Sequence, residues 1–175
     1  MKISQNIKIS KNKDGLEYGR TRITVSTVGV GIKKDDVDAI EWAAKELDVY
    51  LAWSLHSSVP KHRSEIMPIN DKYSIDSLIP KLKKYYDQTK LPIFIEWICL
   101  EENMTDEHAK ELIKIMKKVP SKLNLIEFNP WPGVNYLPTE REDMESFSKI
   151  IQDAGYISTI RRSRGQDILG ACGQL

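Results

Sequence analysis

Cysteine is scarce in these 175 residues: Cys99 and Cys172 stand far apart, no C-x-x-C pair occurs, and there are only three histidines. A disulfide framework and a structural zinc site are excluded on that count, and reduced thiols are expected. Long apolar runs are also lacking. No window approaches the ~18 consecutive apolar residues of a membrane span, and the first residues carry no apolar signal stretch, so a soluble, cytoplasmic protein is expected. Net charge nearly vanishes, with 26 Lys+Arg against 25 Asp+Glu, which excludes both an acidic tail and a polycation. The balance hides a pattern. Residues 1–34 carry eight basic and two acidic side chains, 35–160 carry fifteen and twenty-two, and 161–175 carry three and one. Basic ends around an acidic middle permit a polyanion contact near the termini.

What is present, 41% hydrophobic residues without a linker, repeat or low-complexity tract, is enough for one core. A single domain over 1–175 is expected, with 1–19 as a polar, lysine-rich lead. Five short β-branched or aromatic runs read as strands: 22–27, 49–55, 93–100, 122–128 and 156–161. Four stripes of period 3.6 read as helices: Val37, Ile40, Ala44 and Leu47; Ile75, Leu78, Ile79, Leu82 and Tyr85; Ala109, Leu112, Ile113 and Met116; Met144, Phe147, Ile150 and Ala154. Ser74 and Thr105 precede the second and third as caps, Thr139-Glu-Arg-Glu142 reads as a capping box before the fourth, and Gly155 ends it. Strands alternating with helices predict an α/β fold with parallel pairing and helices outside.

In such folds the working face lies beyond the carboxyl ends of the strands. The exits read Ser26-Thr-Val-Gly29, Ser54-Leu-His56, Cys99-Leu-Glu-Glu102, Asn129-Pro-Trp-Pro-Gly133 and Arg161-Arg-Ser-Arg-Gly165. Most offer polar donors and acceptors of modest charge, suited to a nucleoside or an amino-acid headgroup. No strand-end lysine is available for a Schiff base, and no paired carboxylates or Ser/His/Asp order points to hydrolysis. Each residue alone has a plainer reading. Ser26 and Ser54 equally satisfy backbone amides at strand ends, His56 a structural role, Cys99 the core, and the arginines a solvated surface. His62 and His108 have no evident partners, and Gly29-Val-Gly31 falls short of a dinucleotide motif.

Five blocks taken together carry a resemblance. Arg22-Ile-Thr-Val-Ser-Thr-Val-Gly29, Ser54-Leu-His56, Met67-Pro-Ile-Asn70, Asn124-Leu-Ile-Glu-Phe-Asn-Pro-Trp-Pro-Gly133, and Arg162-Ser-Arg-Gly165 followed by Ala171-Cys-Gly-Gln-Leu175 resemble the radical-SAM adenine-C2 methyltransferases of 23S rRNA and tRNA. The likeness runs in family order over about residues 6–175. It implies the carboxyl-terminal part of a radical-SAM barrel, a partial (βα) barrel of about five strands. By the likeness, Ser26, Ser54, Leu55, His56 and Asn129 match positions that hold S-adenosylmethionine. Cys172 matches the cysteine that the family methylates and converts to a carbon radical adding to C2 of adenine, with the cofactor carrying the difficult step. RNA is the implied partner, with Arg161, Arg162 and Arg164 as phosphate contacts.

The chain also departs from the family. The C-x-x-x-C-x-x-C loop that holds a [4Fe–4S] cluster, a Gly-Glu-Pro segment, a helical RNA-binding module and a second cysteine would all precede Met1, so no metal ligand is assigned here. Ser57-Ser58-Val59-Pro60 replaces the usual Ala-Pro, and Gln166 a common acidic residue. The expectation is a carboxyl-terminal half, inactive alone and served by a separate cluster-bearing half, with strand 22–27 left as a sheet edge prone to association. Adenine C8 methylation, or S-adenosylmethionine and RNA binding without catalysis, remain open beside this reading.

Overall fold

The computed structural model describes residues 11, 17–29, 39–131 and 133–161. Its frame is one five-stranded parallel sheet in sequential order: β1 (Thr24–Thr27), β2 (Tyr50–Ser54), β3 (Ile93–Cys99), β4 (Ser121–Glu127) and β5 (Ser158–Arg161). Between the strands run α1 (Ala39–Trp42), α2 (Pro60–Ile66), α3 (Ile75–Thr89), α4 (Asp106–Lys118) and α5 (Arg141–Asp153). The α/β expectation of five parallel strands is met. Among the described residues β1 stands at one end of the strand order and pairs with β2.

One sheet face makes the core. Leu51 and Trp53 of β2, alternate residues Ile93 to Cys99 of β3, and Leu123 and Leu125 of β4 pack against the apolar stripes of the helices. This burial is the main stabilising term. Parallel sheets are usually covered on both sides, yet β3 alternates strictly between buried and half-buried positions. Its second face presents Phe94, Glu96 and Ile98. Their register partners Ala52 and Ser54 on β2 and Lys122, Asn124 and Ile126 on β4 share that face, which is mixed, with Ser54, Glu96 and Asn124 in one polar row between apolar neighbours.

Local signals explain most elements. The Ser74 and Thr105 side chains accept from the Ser77 and His108 amides, capping α3 and α4. The buried Tyr85 hydroxyl donates to the Val49 carbonyl and ties α3 to the start of β2. Two expectations need correction, and one helix was not anticipated. The first stripe is not one α-helix: α1 passes into a π-helical turn at Ala43–Leu47, whose end is held by Lys11 Nζ donating to the Leu47 and Asp48 carbonyls at 2.8 and 3.2 Å. The fourth helix is capped at Glu140 with no side-chain capping bond, so Thr139 does not close a capping box; carboxylates at Glu142 and Asp143 complement the dipole there instead. The unanticipated helix is α2, which carries no apolar stripe because its buried residue is Arg63.

Gly29, where β1 gives way to its exit loop, has φ +96, and a Cβ there would lie 2.6 Å from both terminal carbons of the buried Leu78. Gly29→Ala is expected to destabilise by about 3 kcal/mol, from left-handed strain plus displacement of a packed leucine. Gly133→Ala, also at positive φ but with nothing within 4 Å, should cost about 1 kcal/mol. Denaturant midpoints of the two variants check the contrast, and equal losses would refute the packing contribution.

Candidate functional site at the strand exits

The second face of the sheet carries the row Ser54, Glu96 and Asn124, and Ser54 stands at the exit of β2. Ser26 is exposed at the edge of β1, opposite Ala52, and so shares the face of Ser54. Ser54 lies opposite Glu96, and its hydroxyl donates to Glu96 Oε2 at 3.3 Å. Glu96 was not among the expected site residues. Its signal was the alternation of 93–99, hidden when that run is read as uniformly apolar.

Beyond Ser54 the chain turns sharply. The Ser57 amide donates to the Leu55 carbonyl at 2.7 Å around His56, which has φ +57. An i→i+2 bond around a residue of positive φ is the rarer γ-turn form, and it persists only where the surroundings over-determine it. They do so here. The Leu55 and His56 amides both donate to the Glu96 carbonyl, at 3.1 and 3.3 Å. Asn103 Nδ2 donates to the His56 carbonyl at 2.8 Å and to the Ile98 carbonyl at 2.8 Å, while its Oδ1 accepts from the Leu100 amide at 2.9 Å. Leu55 itself is buried in the core and contributes its place in the turn.

The His56 ring is fixed as well. Its Nδ1 accepts from the Ile98 amide at 3.1 Å, so in the neutral ring the proton sits on Nε2. Burial, and then the charge of Arg63, lower its pKa to about 4. His56 is therefore a neutral ring whose free nitrogen donates. Asn129, two residues past β4, is buried, and the following Trp131 is 42% exposed with its ring edge-on to Phe128. From β1 to β4 the exits span about 14 Å, three strand spacings.

A second cluster lies beside the exits of β2 and β3. His62 and His108, expected to lack partners, are partners of each other, with His108 Nε2 and His62 Nδ1 3.1 Å apart. His62 Nε2 meets Glu102 Oε1 at 3.0 Å, and Thr105 Oγ1 meets His108 Nδ1 at 2.8 Å. With Glu102 accepting, one consistent proton order runs from the Thr105 hydroxyl through His108 and His62 to the carboxylate. Ser57 Oγ also lies 3.1 Å from His62 Nδ1. This Ser57–His62–Glu102 set is not a nucleophilic triad: Ser57 is fully buried and its hydroxyl oxygen accepts the Val59 amide. The contacts join positions 46 apart, which local sequence spacing does not disclose.

No group of three His, Cys, Asp or Glu side chains among the described residues could hold a metal ion. Cys99 is buried in β3 and burial pushes its thiol up to about 12, which suits a core residue rather than a ligand. No helix among the described residues is long and apolar enough to cross a membrane.

No family model matches the chain. Curated relatives do. The dual-specificity RNA methyltransferase RlmN of Granulibacter bethesdensis is 41% identical over 175 residues, covering 99% of this chain and 43% of that protein. RlmN of Rhizobium leguminosarum bv. trifolii is 43% identical over the same length, covering 41% of its own. This chain is homologous to a part of RlmN. It spans about two fifths of the length of those relatives. A crystal structure of a radical SAM methyltransferase from Sphaerobacter thermophilus superposes with a TM-score of 0.86 at 32% identity, covering 96% of this chain and 48% of that one. A domain of a pyruvate-formate lyase-activating enzyme from Bacteroides vulgatus, at 13% identity and a TM-score of 0.60, shares the fold.

Of the residues that the RlmN-type resemblance singled out, Ser26, Ser54, Leu55, His56 and Asn129 all lie at strand exits, and Arg161 is the exposed last residue of β5. Arg162, Arg164 and Cys172 lie outside the described residues.

Proposed function

We propose that this chain is part of a radical-SAM RNA methyltransferase acting on C2 of adenine in 23S rRNA and tRNA in the cytoplasm. In this reading it supplies the strand-exit face that holds S-adenosylmethionine and, in Cys172, the sulfur that carries the methyl group. The observation that carries the reading is the end-to-end match of the chain to RlmN proteins at 41–43% identity.

The exits fit such a ligand. Ser26 and Ser54 offer hydroxyls on the open face, Asn129 an amide, and His56 a neutral N–H donor suited to a ligand oxygen or nitrogen lone pair. S-adenosylmethionine, when bound, brings an activated methyl group and the source of the radical. The chain's own part is to orient it and to place the cysteine. A thiol is the side chain that can accept the methyl group and then bond covalently to the base. Arg161, with Arg162 and Arg164, would meet RNA phosphates.

An iron–sulfur cluster does not fit this chain's donors. Cys99 is locked in the core, and Cys172 alone cannot supply the thiolates. No step is therefore derived through a cluster on this chain, and the chain alone is expected to bind without catalysing, the cluster being carried by another segment or subunit.

Calorimetric titration tests the binding half. S-adenosylmethionine should bind, and Ser54→Ala should weaken it about tenfold, on the order of 1.4 kcal/mol; no heat at millimolar ligand would overturn the assignment. For the chemistry, Cys172→Ser, supplied with a cluster-bearing complement, should abolish methylation of unmodified RNA. Product analysis of the base separates C2 from C8.

A further inference from the structure

Among the described residues, Arg63 is the only Lys, Arg, Asp or Glu side chain that is buried, at 0% exposure. Its guanidinium meets four neutral oxygens: Nε donates to the Leu55 carbonyl at 3.1 Å, Nη2 to the Ser54 carbonyl at 3.4 Å, and Nη1 to Asn70 Oδ1 at 2.7 Å and the Tyr73 carbonyl at 3.4 Å. The Trp53 ring lies 5.9 Å from the guanidinium carbon. No carboxylate of the described residues pairs with it. Burying an uncompensated cation is costly, and burial lowers its pKa to about 10, which still leaves it charged at neutral pH. A hydrophobic residue at this place in α2 would avoid that cost, so the core alone does not require an arginine.

Its partners indicate what the arginine does. Two of its four oxygens are the carbonyls of Ser54 and Leu55, and the Leu55 carbonyl is the acceptor of the strained turn around His56. The amides of Leu55 and His56 are meanwhile held by the Glu96 carbonyl. The exit peptide of β2 is thus gripped on its N–H side by β3 and on its C=O side by Arg63. Asn70 in turn fixes the arginine: its Oδ1 accepts from Arg63 while its Nδ2 donates to the Pro60 carbonyl at 3.1 Å and to Ser64 Oγ at 2.8 Å. This gives the block Met67–Asn70, which the strand-exit site did not use, a physical part.

We infer that Arg63, locked by Asn70, is a positioning residue that holds the turn at Ser54–His56 in the geometry with which Ser54 and His56 meet their ligand. The inference rests on the proposal that this exit binds S-adenosylmethionine. A planar fork with five donors can bridge carbonyls on different segments, whereas a lysine ammonium is a point donor on a flexible stem.

The test uses the full 175-residue chain as wild type, Arg63→Lys and Asn70→Ala, with two readouts: S-adenosylmethionine affinity by calorimetry and the His56 ring nitrogens by NMR. Wild type should show the Nε2–H tautomer. Arg63→Lys, which keeps the charge and removes the fork, should lower affinity at least tenfold and shift the His56 nitrogens toward a tautomer mixture, while β3 and β4 amide protection stays. Asn70→Ala should move both in the same direction by about threefold in affinity, and carries the test if Arg63→Lys does not fold. Affinity within twofold of wild type, or weakened binding with unchanged His56 signals, overturns the inference and leaves the proposed function standing. A wild-type chain that binds no S-adenosylmethionine overturns the proposed function instead, and the His56 signals then decide the role of Arg63 alone.

Discussion

Replacing Asn103 by alanine is expected to remove about 4 kcal/mol of stability. The residue is fully buried, and one short amide serves three backbone groups: the Leu100 amide and the carbonyls of His56 and Ile98. Truncation deprives all three of that partner, and leaving a buried group unpaired costs about 1–3 kcal/mol each. A protein of this size has roughly 5–15 kcal/mol in total, so the variant should be marginally folded at room temperature. Asn103→Asp distinguishes the contributions. It keeps the acceptor for the Leu100 amide but faces two carbonyls with a carboxylate, and it should lose at least as much as alanine. Glu101→Ala, exposed in the same 3-10 turn, should stay within about 0.5 kcal/mol. Urea midpoints of the three variants decide it. If Asn103→Ala matched Glu101→Ala, the bridge between the exits of β2 and β3 would carry no energy. The effect should also reach function, because Asn103 holds the carbonyl of the residue at the centre of the strained turn.

The sequence made the strands and three of the four helical stripes legible for a simple physical reason: burying one face imposes period 2 or 3.6 on apolar residues. Where a different force buries an element, that signal fails. α2 packs through Arg63 and its carbonyl partners, so no apolar stripe marks it. The first stripe keeps its buried residues Ile40, Ala44 and Leu47, but a π-helical turn changes the backbone beneath them. The strand-exit rule placed Ser26, Ser54, His56 and Asn129 on one end of the sheet because parallel connectivity fixes where strands finish. The groups that tune that end were harder to find. Glu96 required reading β3 as two-faced. Asn103 is a lone amide in an acidic turn, and the His62–His108 pair joins α2 to α4 across 46 positions. Such contacts depend on tertiary placement, which composition and spacing do not encode.

Acidification from pH 7 to pH 5 is expected to weaken the fold by about 2 kcal/mol for each of two histidines. His56 and His108 are both held neutral, with pKa values lowered from 6.5 to about 4. For His56 the cause is burial, then the nearby Arg63; for His108 it is burial, then His62, with Glu102 opposing. A folded-state pKa below the unfolded value means that the unfolded chain binds more protons between about pH 4 and 6.5. Stability is therefore complete above pH 6.5 and is lost progressively as pH falls through that window. Charging would break a bond in His56, since a protonated Nδ1 cannot accept from the Ile98 amide, and in His108 it would force the Thr105 hydroxyl to turn from donor to acceptor. The two can be separated by substitution away from the candidate site. His108→Gln, which keeps a donor and an acceptor and cannot titrate, should flatten the stability difference between pH 7 and pH 5 by about 2 kcal/mol. His56 then accounts for what remains of the histidine contribution, and it links fold to function: a charged His56 would abandon the Ile98 amide and release the turn that presents Ser54, so S-adenosylmethionine affinity should fall over the same range. A His108→Gln variant with the wild-type pH slope would show that His108 is not held neutral by the fold.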